Sequence, residues 1–355
     1  MTLRAGIIGA GGVAGMGIYG ADNRETGVER DDSSHAGGYA GADGIELVAI
    51  ADVDDDRLRD FGEAWSIPEA GRYPDHTTML AEADLDVVSV CTPSMLHHTH
   101  VIDAAEVGGV DAIWCEKPVA CSVTDGRAMV EATDDAGVEL VVNHSRRFHR
   151  QHQRLREAID DGLLGEVRTA SAAVPMELLR VGTHMADLLL YLLDDRAAEV
   201  GGFLTGENES AEDLGAAEVD DCGGGGWLRT QGGTYATFDG AAPRALGDWR
   251  LRLVGTEGRL VSDDRGWTLF DRTGNGHEKR PAPTGEHEDG FRQSFVNAAS
   301  HCVDLIEGDA ENVSPGHEAL YALEVLVGVA VSEYSGGTAT VPLDRPMADV
   351  TLRSW

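Results

Sequence analysis

Over the first 143 residues, short apolar runs alternate with amphipathic stretches. The runs lie at 3–8, 47–51, 87–90, 112–115 and 138–142. Short and apolar throughout, they predict strands buried on both faces, and hence a parallel sheet with helices on either side. Segments 55–65, 76–83, 96–107 and 122–136 carry the helical pattern between them. Each run ends in something polar or unusual: Gly9, Asp52, Thr92, Glu116 and Asn143. The carboxyl ends of an open parallel sheet line up along one edge, where ligands bind. Five such endings in order predict that edge to be the site.

Past residue 143 the pattern changes. Residues 249–253 alternate apolar and polar, as a strand with one buried face does, and 234–238 and 267–270 read likewise. Segment 183–193 reads as a helix that offers Leu188, Leu189, Leu192 and Leu193 to a core. The acidic, glycine-rich stretch 206–226 reads as a long mobile connection. At 355 residues, two domains are expected, with boundaries at 1–143 and 144–355.

Charge sharpens the picture. The formal net charge is -34, with acidic pairs such as Asp55-Asp56 and Asp263-Asp264 scattered over the chain, while 42% of residues remain hydrophobic. That apolar content supports a large core and argues against disorder. The spread of acid describes a coat whose self-repulsion fades in molar salt, where the Debye length falls to about 3 Å. A halophile's cytoplasmic protein is expected, and nucleic acid and anionic membranes are poor partners for it. No apolar stretch approaches the roughly 20 residues of a membrane span, and the N-terminus runs straight into a strand with no signal-like segment. The five cysteines show no metal-ligand spacing and read as buried thiols. His97, His98 and His100 lack the partners that would define a metal site, so no metal is implied.

Candidate chemistry begins at Gly9-Ala10-Gly11-Gly12-Val13-Ala14, a GxGxxA directly after a strand. Such a turn lets backbone amides approach a pyrophosphate. Asp52 is placed to accept hydrogen bonds from ribose hydroxyls and to repel a 2′-phosphate, favouring NAD over NADP; the alternative is an ordinary helix cap, for which Asp54 and Asp55 compete. Asp52 lies 43 residues after Gly9, where about 20 is usual. The excess falls in 15–44, which predicts an inserted loop, lid or ornament, with the helix resuming near Ser34-His35. Lys117 stands out because only it and Lys279 are lysines among 28 basic side chains. Glu116-Lys117-Pro118 reads either as an exposed turn or as a site that needs a compact, tunable ammonium.

Thr92-Pro93-Ser94 with His97, then Glu116-Lys117-Pro118, resemble the glucose-fructose oxidoreductase / inositol dehydrogenase (Gfo/Idh/MocA) family. So do Arg146-Arg147-Phe148, Gly162-Leu163-Leu164-Gly165-Glu166-Val167, Gly182-Thr183-His184-Met185-Ala186-Asp187 and Gly255-Thr256-Glu257-Gly258. The resemblance implies an α/β chain: an N-terminal Rossmann dinucleotide-binding domain, then an α+β domain with a large, mostly antiparallel open sheet. It further implies a homodimer or homotetramer. The implied chemistry is hydride transfer between NAD(P) and a carbinol carbon of a sugar, sugar acid or cyclitol. Gly9, Gly11, Gly12, Val13, Asp52, Thr92, Pro93, Ser94, His97, Glu116 and Lys117 would then hold the cofactor.

By the same analogy Lys117 is the cation at the reacting hydroxyl and His184 the general base, with Asp187 orienting the imidazole or binding substrate. Arg180 stands where many relatives carry Asp. It either grips an anionic substrate, with Arg146 assisting, or turns outward to pair with the acidic surface. Two other readings share these motifs: glycoside cleavage through bound NAD without net redox change, and a catalytically silent NAD-binding sensor.

Overall fold

The computed structural model describes residues 2–17, 31–175, 177–206, 217–243, 245–263, 266–284 and 290–354. They form two compact units. The first comprises Met1–Val119, Arg127–His149 and Asp289–Gly316; the second comprises Ala120–Gly126, Arg150–Glu288 and His317–Trp355.

In the first unit, strands β1 (Leu3–Ile8), β2 (Ile45–Ala51), β3 (Arg72–Tyr73), β4 (Val87–Val90), β5 (Ala112–Cys115) and β6 (Glu139–Val142) make one parallel sheet. Their order is β3-β2-β1-β4-β5-β6, so the chain reverses direction across the sheet between β1 and β4 and opens a crevice there. The helices are α1 (His35–Gly41), α2 (Asp55–Ala64), α3 (His76–Glu82), α4 (His97–Glu106) and α5 (Val123–Ala136), within two residues of the stretches their periodicity predicts. Helix α1 starts where the helix was expected to resume, and its N-cap Ser34 accepts from the Gly37 amide. Of the stretch 15–44 expected to hold an insertion, residues 18–30 lie outside the described residues. Ile7, Ile50, Phe61, Trp114 and Phe295 are buried in one core. Each such side chain contributes about 1.5–3 kcal/mol on burial.

The second unit is built from α6 (Arg150–Asp160), β7 (Val167–Pro175), α7 (Thr183–Leu193), β8 (Ala197–Leu204), β9 (Glu218–Asp220), β10 (Gly224–Thr230), β11 (Tyr235–Ala242), β12 (Arg250–Gly255), β13 (Gly258–Asp263), β14 (Gly266–Thr273) and β15 (Gly276–Pro281). After α8 (Phe291–Glu307), which belongs to the first unit, come α9 (Gly316–Ser335), β16 (Ala339–Thr340) and β17 (Thr351–Arg353). Nine strands pair in the order β15-β14-β13-β12-β7-β11-β10-β8-β16. All pairs are antiparallel except β7 with β11. Strict alternation along β11, with Ala236 and Phe238 buried and Tyr235, Thr237 and Asp239 exposed, gives the sheet one buried face and one open face.

One expectation is corrected. Within the stretch 206–226, residues 218–220 and 224–226 belong to strands and are no mobile connection, while 207–216 lie outside the described residues. The run Gly224-Gly225-Gly226 is glycine because neighbouring strands crowd it: a Cβ on Gly226 would stand 2.0 Å from the Gly201 carbonyl oxygen.

Candidate active site

The crevice edge begins with the turn after β1. Gly9 has φ +96, and a Cβ there would stand 3.0 Å from the Cys91 carbonyl oxygen, so only glycine serves. A single wide helical turn follows at Gly12–Met16, with the Val13 side chain packed against the core and Ala14 buried beneath it. Asp52, at the end of β2, ties into this loop. Its Oδ2 accepts from the Ala10 amide at 2.7 Å and its Oδ1 from the Asp54 amide at 2.9 Å. Asp54, and not Asp52, caps α2, accepting from the amides of Asp56 and Arg57. Asp52 therefore remains partly exposed at the loop with a lone pair to spare on each oxygen.

The ends of β4, β5 and β6 carry a buried polar network. Glu116 accepts at Oε1 from Asn143 Nδ2 and lies 3.0 Å from His35 Nε2, while its Oε2 accepts from the Lys117 amide at 3.3 Å. His35 Nδ1 meets Ser89 Oγ at 2.9 Å, and the Tyr39 hydroxyl meets the same Oγ at 2.6 Å. The His35 ring lies over Trp114 with centroids 3.8 Å apart. Burial works to raise the Glu116 carboxyl pKa, but His35, Lys117 and Asn143 together outweigh it and leave it lowered. That balance favours the carboxylate form of Glu116.

His97 is buried and braces two loops, its Nδ1 2.9 Å from the Pro118 carbonyl oxygen and its Nε2 3.0 Å from that of Thr92. Burial lowers its pKa against the pull of those carbonyls and of Glu116. Thr92 Oγ1 pairs with His100 Nδ1 at 3.0 Å; Pro93 is exposed, Ser94 buried, and Lys117 half-buried. Among the described residues no group of three or more His, Cys, Asp or Glu side chains is placed to hold a metal ion.

In the second unit, α7 spans Thr183–Leu193, the segment predicted for it. His184 is partly exposed with its ring 6.1 Å from that of Trp249, and Asp187 is buried on the same helix. Arg180 Nη1 lies 3.9 Å from Glu177 Oε2, with its side chain 46% exposed. The amides of Leu179 and Arg180 donate to the two oxygens of Asp221, whose carboxyl is raised by burial despite those bonds. Arg146 sits half-buried in the first unit, in the turn Ser145–Phe148 after β6, and the neighbouring Arg147 is buried with Nη1 donating to the Val313 carbonyl. His35, Ser89 and Tyr39 are outside the expected site set. No local motif marks them, because their partners lie 50 or more residues away.

A family model described as "Oxidoreductase family, NAD-binding Rossmann fold" (GFO_IDH_MocA) matches residues 3–144, the stretch that supplies all six strand ends. Myo-inositol 2-dehydrogenase of Thermotoga maritima is 30% identical over 254 residues, covering 67% of this chain and 74% of its own length. The chain belongs to the GFO_IDH_MocA oxidoreductase family. D-Apiose dehydrogenase of Paraburkholderia graminis is 26% identical over 339 residues, 86% of this chain and 85% of that one. The crystal structure of an inositol dehydrogenase homolog complexed with NAD+ from Azotobacter vinelandii shares the fold, with a TM-score of 0.76 at 18% identity over 96% of this chain and 97% of that chain.

The residues present suit the family's dinucleotide. A Cβ on Gly11 would meet nothing within 4 Å, so the turn after β1 is uncrowded at the position where the motif calls for close approach of a pyrophosphate. Asn143 Oδ1 is buried at the end of β6 without a hydrogen-bond partner, an acceptor suited to a donor on a bound ligand. Asn143 was legible only as one polar strand ending among five.

Proposed function

We propose that the protein is an NAD(H)-dependent dehydrogenase acting on a CH–OH group of a sugar, sugar acid or cyclitol. Lys117 carries this reading, since one of only two lysines in the chain follows directly on Glu116, buried and favoured as the carboxylate, at the edge of a dinucleotide-binding sheet. NAD+, when bound, supplies the hydride acceptor. Relatives named as a myo-inositol 2-dehydrogenase and a D-apiose dehydrogenase support a polyol-type carbon. In this reading the Lys117 ammonium stabilises the alkoxide character of the reacting oxygen, and His184 accepts the hydroxyl proton. Asp187 orients the imidazole. Thr92, Pro93, Ser94 and Glu116 shape the cofactor edge, with His97 holding its loops in place.

Asp52 supports NAD over NADP, because its charge opposes a 2′-phosphate. The pairing of Arg180 with Glu177 at 3.9 Å, which partly neutralises its charge, supports a neutral polyol over a sugar acid. The scattered surface acid supports function in concentrated salt. The test is NADH absorbance in molar KCl over a panel of cyclitols, sugars and sugar acids, with Lys117→Ala as the blank. NADH formation that needs Lys117 supports the reading. Glycoside cleavage without NADH, or activity that survives Lys117→Ala, refutes it.

A further inference from the structure

Strand β12 sends alternate side chains to the two faces of the nine-stranded sheet. Leu251 and Leu253 point to the covered face and are fully buried, while Arg250 and Arg252 are exposed on the other. Trp249 lies just before the strand, two residues from Leu251, and by the same alternation joins the covered row. Helix α7 packs on that face. A Cβ on its N-cap, Gly182, would stand 2.9 Å from Cζ of the buried Phe238 on β11. His184 is the second residue of α7, and its ring centroid lies 6.1 Å from that of Trp249, with the planes at 58°. Trp249 is therefore the end of a row that is otherwise closed, and it is only half-buried. A tryptophan carries about 150–250 Å² of surface, mostly apolar, so the largest side chain of the row is the one the core does not close over.

The chemistry of this pair selects its ligand. Both rings are partly open to solvent, and Asp187, on the same helix face as His184, is buried one turn deeper. A polar imidazole beside an apolar indole suits a molecule with hydroxyls on its rim and bare C–H groups on a face. Because the two rings are within contact distance, a hydroxyl that meets the imidazole brings its carbon framework within reach of the indole. A cyclitol or a sugar in ring form holds its C–H groups together on one face. An open-chain polyol must freeze several bonds to present the same face, and loses that entropy on binding. The charge of a sugar acid gains nothing from an indole.

We infer that Trp249 is the platform of a substrate subsite beside His184, and that it selects cyclitols and ring-form sugars over open-chain polyols. Trp249 binds and orients; no proton or hydride passes through it. The inference deepens the dehydrogenase reading and rests on it for the place of the reacting hydroxyl at His184. The stacking of a ring on Trp249 can be read without turnover.

The full chain, made with 5-fluorotryptophan at its six tryptophans, gives a 19F spectrum in which the resonance missing from Trp249→Phe is that of Trp249. The protein loaded with NADH is titrated with myo-inositol, with methyl β-D-glucopyranoside and with galactitol, which has the carbons and hydroxyls of myo-inositol without the ring. Each is taken to about 50 mM, above the usual KM range. The Trp249 resonance is expected to move with at least one ring compound, more than any other tryptophan, and to stay in place with galactitol. No movement with either ring compound, or equal movement with galactitol, overturns the platform. In turnover of a ring substrate, Trp249→Ala is expected to raise KM about tenfold or more with kcat within about threefold of the parent. Trp249→Tyr keeps an aromatic face and is expected to recover most of that loss. A fall in kcat at unchanged KM, or a Trp249→Tyr as impaired as Trp249→Ala, means that the indole only packs the fold and overturns the inference. If Trp249→Ala does not fold, the titration and Trp249→Tyr still decide it. If the resonance moves as expected while His184→Ala keeps full turnover, the platform stands and the proposed role of His184 falls. If it moves while no compound yields NADH, the platform stands and the dehydrogenase reading falls.

Discussion

Asp52 carries two jobs that substitutions can separate. Its Oδ2 holds the glycine-rich loop through the Ala10 amide at 2.7 Å, and in the proposed reading its charge opposes a 2′-phosphate. A hydrogen bond to a charged group is worth about 1.5–3 kcal/mol, so Asp52→Ala frees the loop and weakens NAD+ binding by roughly 10- to 100-fold. Asp52→Asn keeps an acceptor for the Ala10 amide, removes the charge, and gives up the acceptor to the Asp54 amide. Repulsion between unit charges about 5 Å apart is about 1–3 kcal/mol at effective dielectric constants between protein and water. Removing it is therefore expected to move the NADP+/NAD+ preference towards NADP+ by about 5- to 150-fold. Isothermal titration of each protein with both dinucleotides reads the two effects independently. If Asp52→Asn leaves the ratio of the two dissociation constants at the wild-type value, the charge does not select the cofactor. If Asp52→Ala binds NAD+ as tightly as wild type, the loop tether contributes nothing.

Other expectations follow from the same structure. The lowered carboxyl of Glu116 contributes stability that is present above the ordinary glutamate range and is lost as pH falls through its depressed folded value. Melting temperature should therefore fall on acidification more steeply in wild type than in Glu116→Gln, as scanning calorimetry would show; equal slopes would count against an ionised buried Glu116. The net charge of -34 predicts that the melting temperature rises by many degrees from dilute buffer to molar KCl, and a flat response would remove the reading of a salt-adapted surface. Leu189 is buried on α7, and Leu189→Ala should cost about 2–5 kcal/mol in denaturant unfolding, whereas a loss below about 1 kcal/mol would mean that α7 packs loosely.

Much of this was readable in the chain, for physical reasons. Strands buried on both faces must be short apolar runs, so five of the six parallel strands announced themselves, together with the polar residues that end them. Strand β3 has only two residues, Arg72 and Tyr73, too few to set a pattern. Helix α7 was legible to the residue because its leucines repeat with helical spacing. The role of α8 in the first unit was not, since periodicity shows that a helix has an apolar face and not which core receives it. The glycine run 224–226 looked like a linker because glycine serves mobility and crowding alike, and only the neighbouring strands decide between them. The Glu116 partners were hidden for the same reason: His35 lies 81 residues before it and Asn143 27 after, and no local rule joins them.

The most direct test of the account is deuterium transfer. The compound that the substrate panel selects would be labelled with deuterium on its carbinol carbon, turned over with NAD+, and the dinucleotide analysed by mass spectrometry. One deuterium in the NADH, and none after Lys117→Ala treatment, is the predicted result. A dinucleotide that stays oxidised and unlabelled while the substrate is consumed would contradict it.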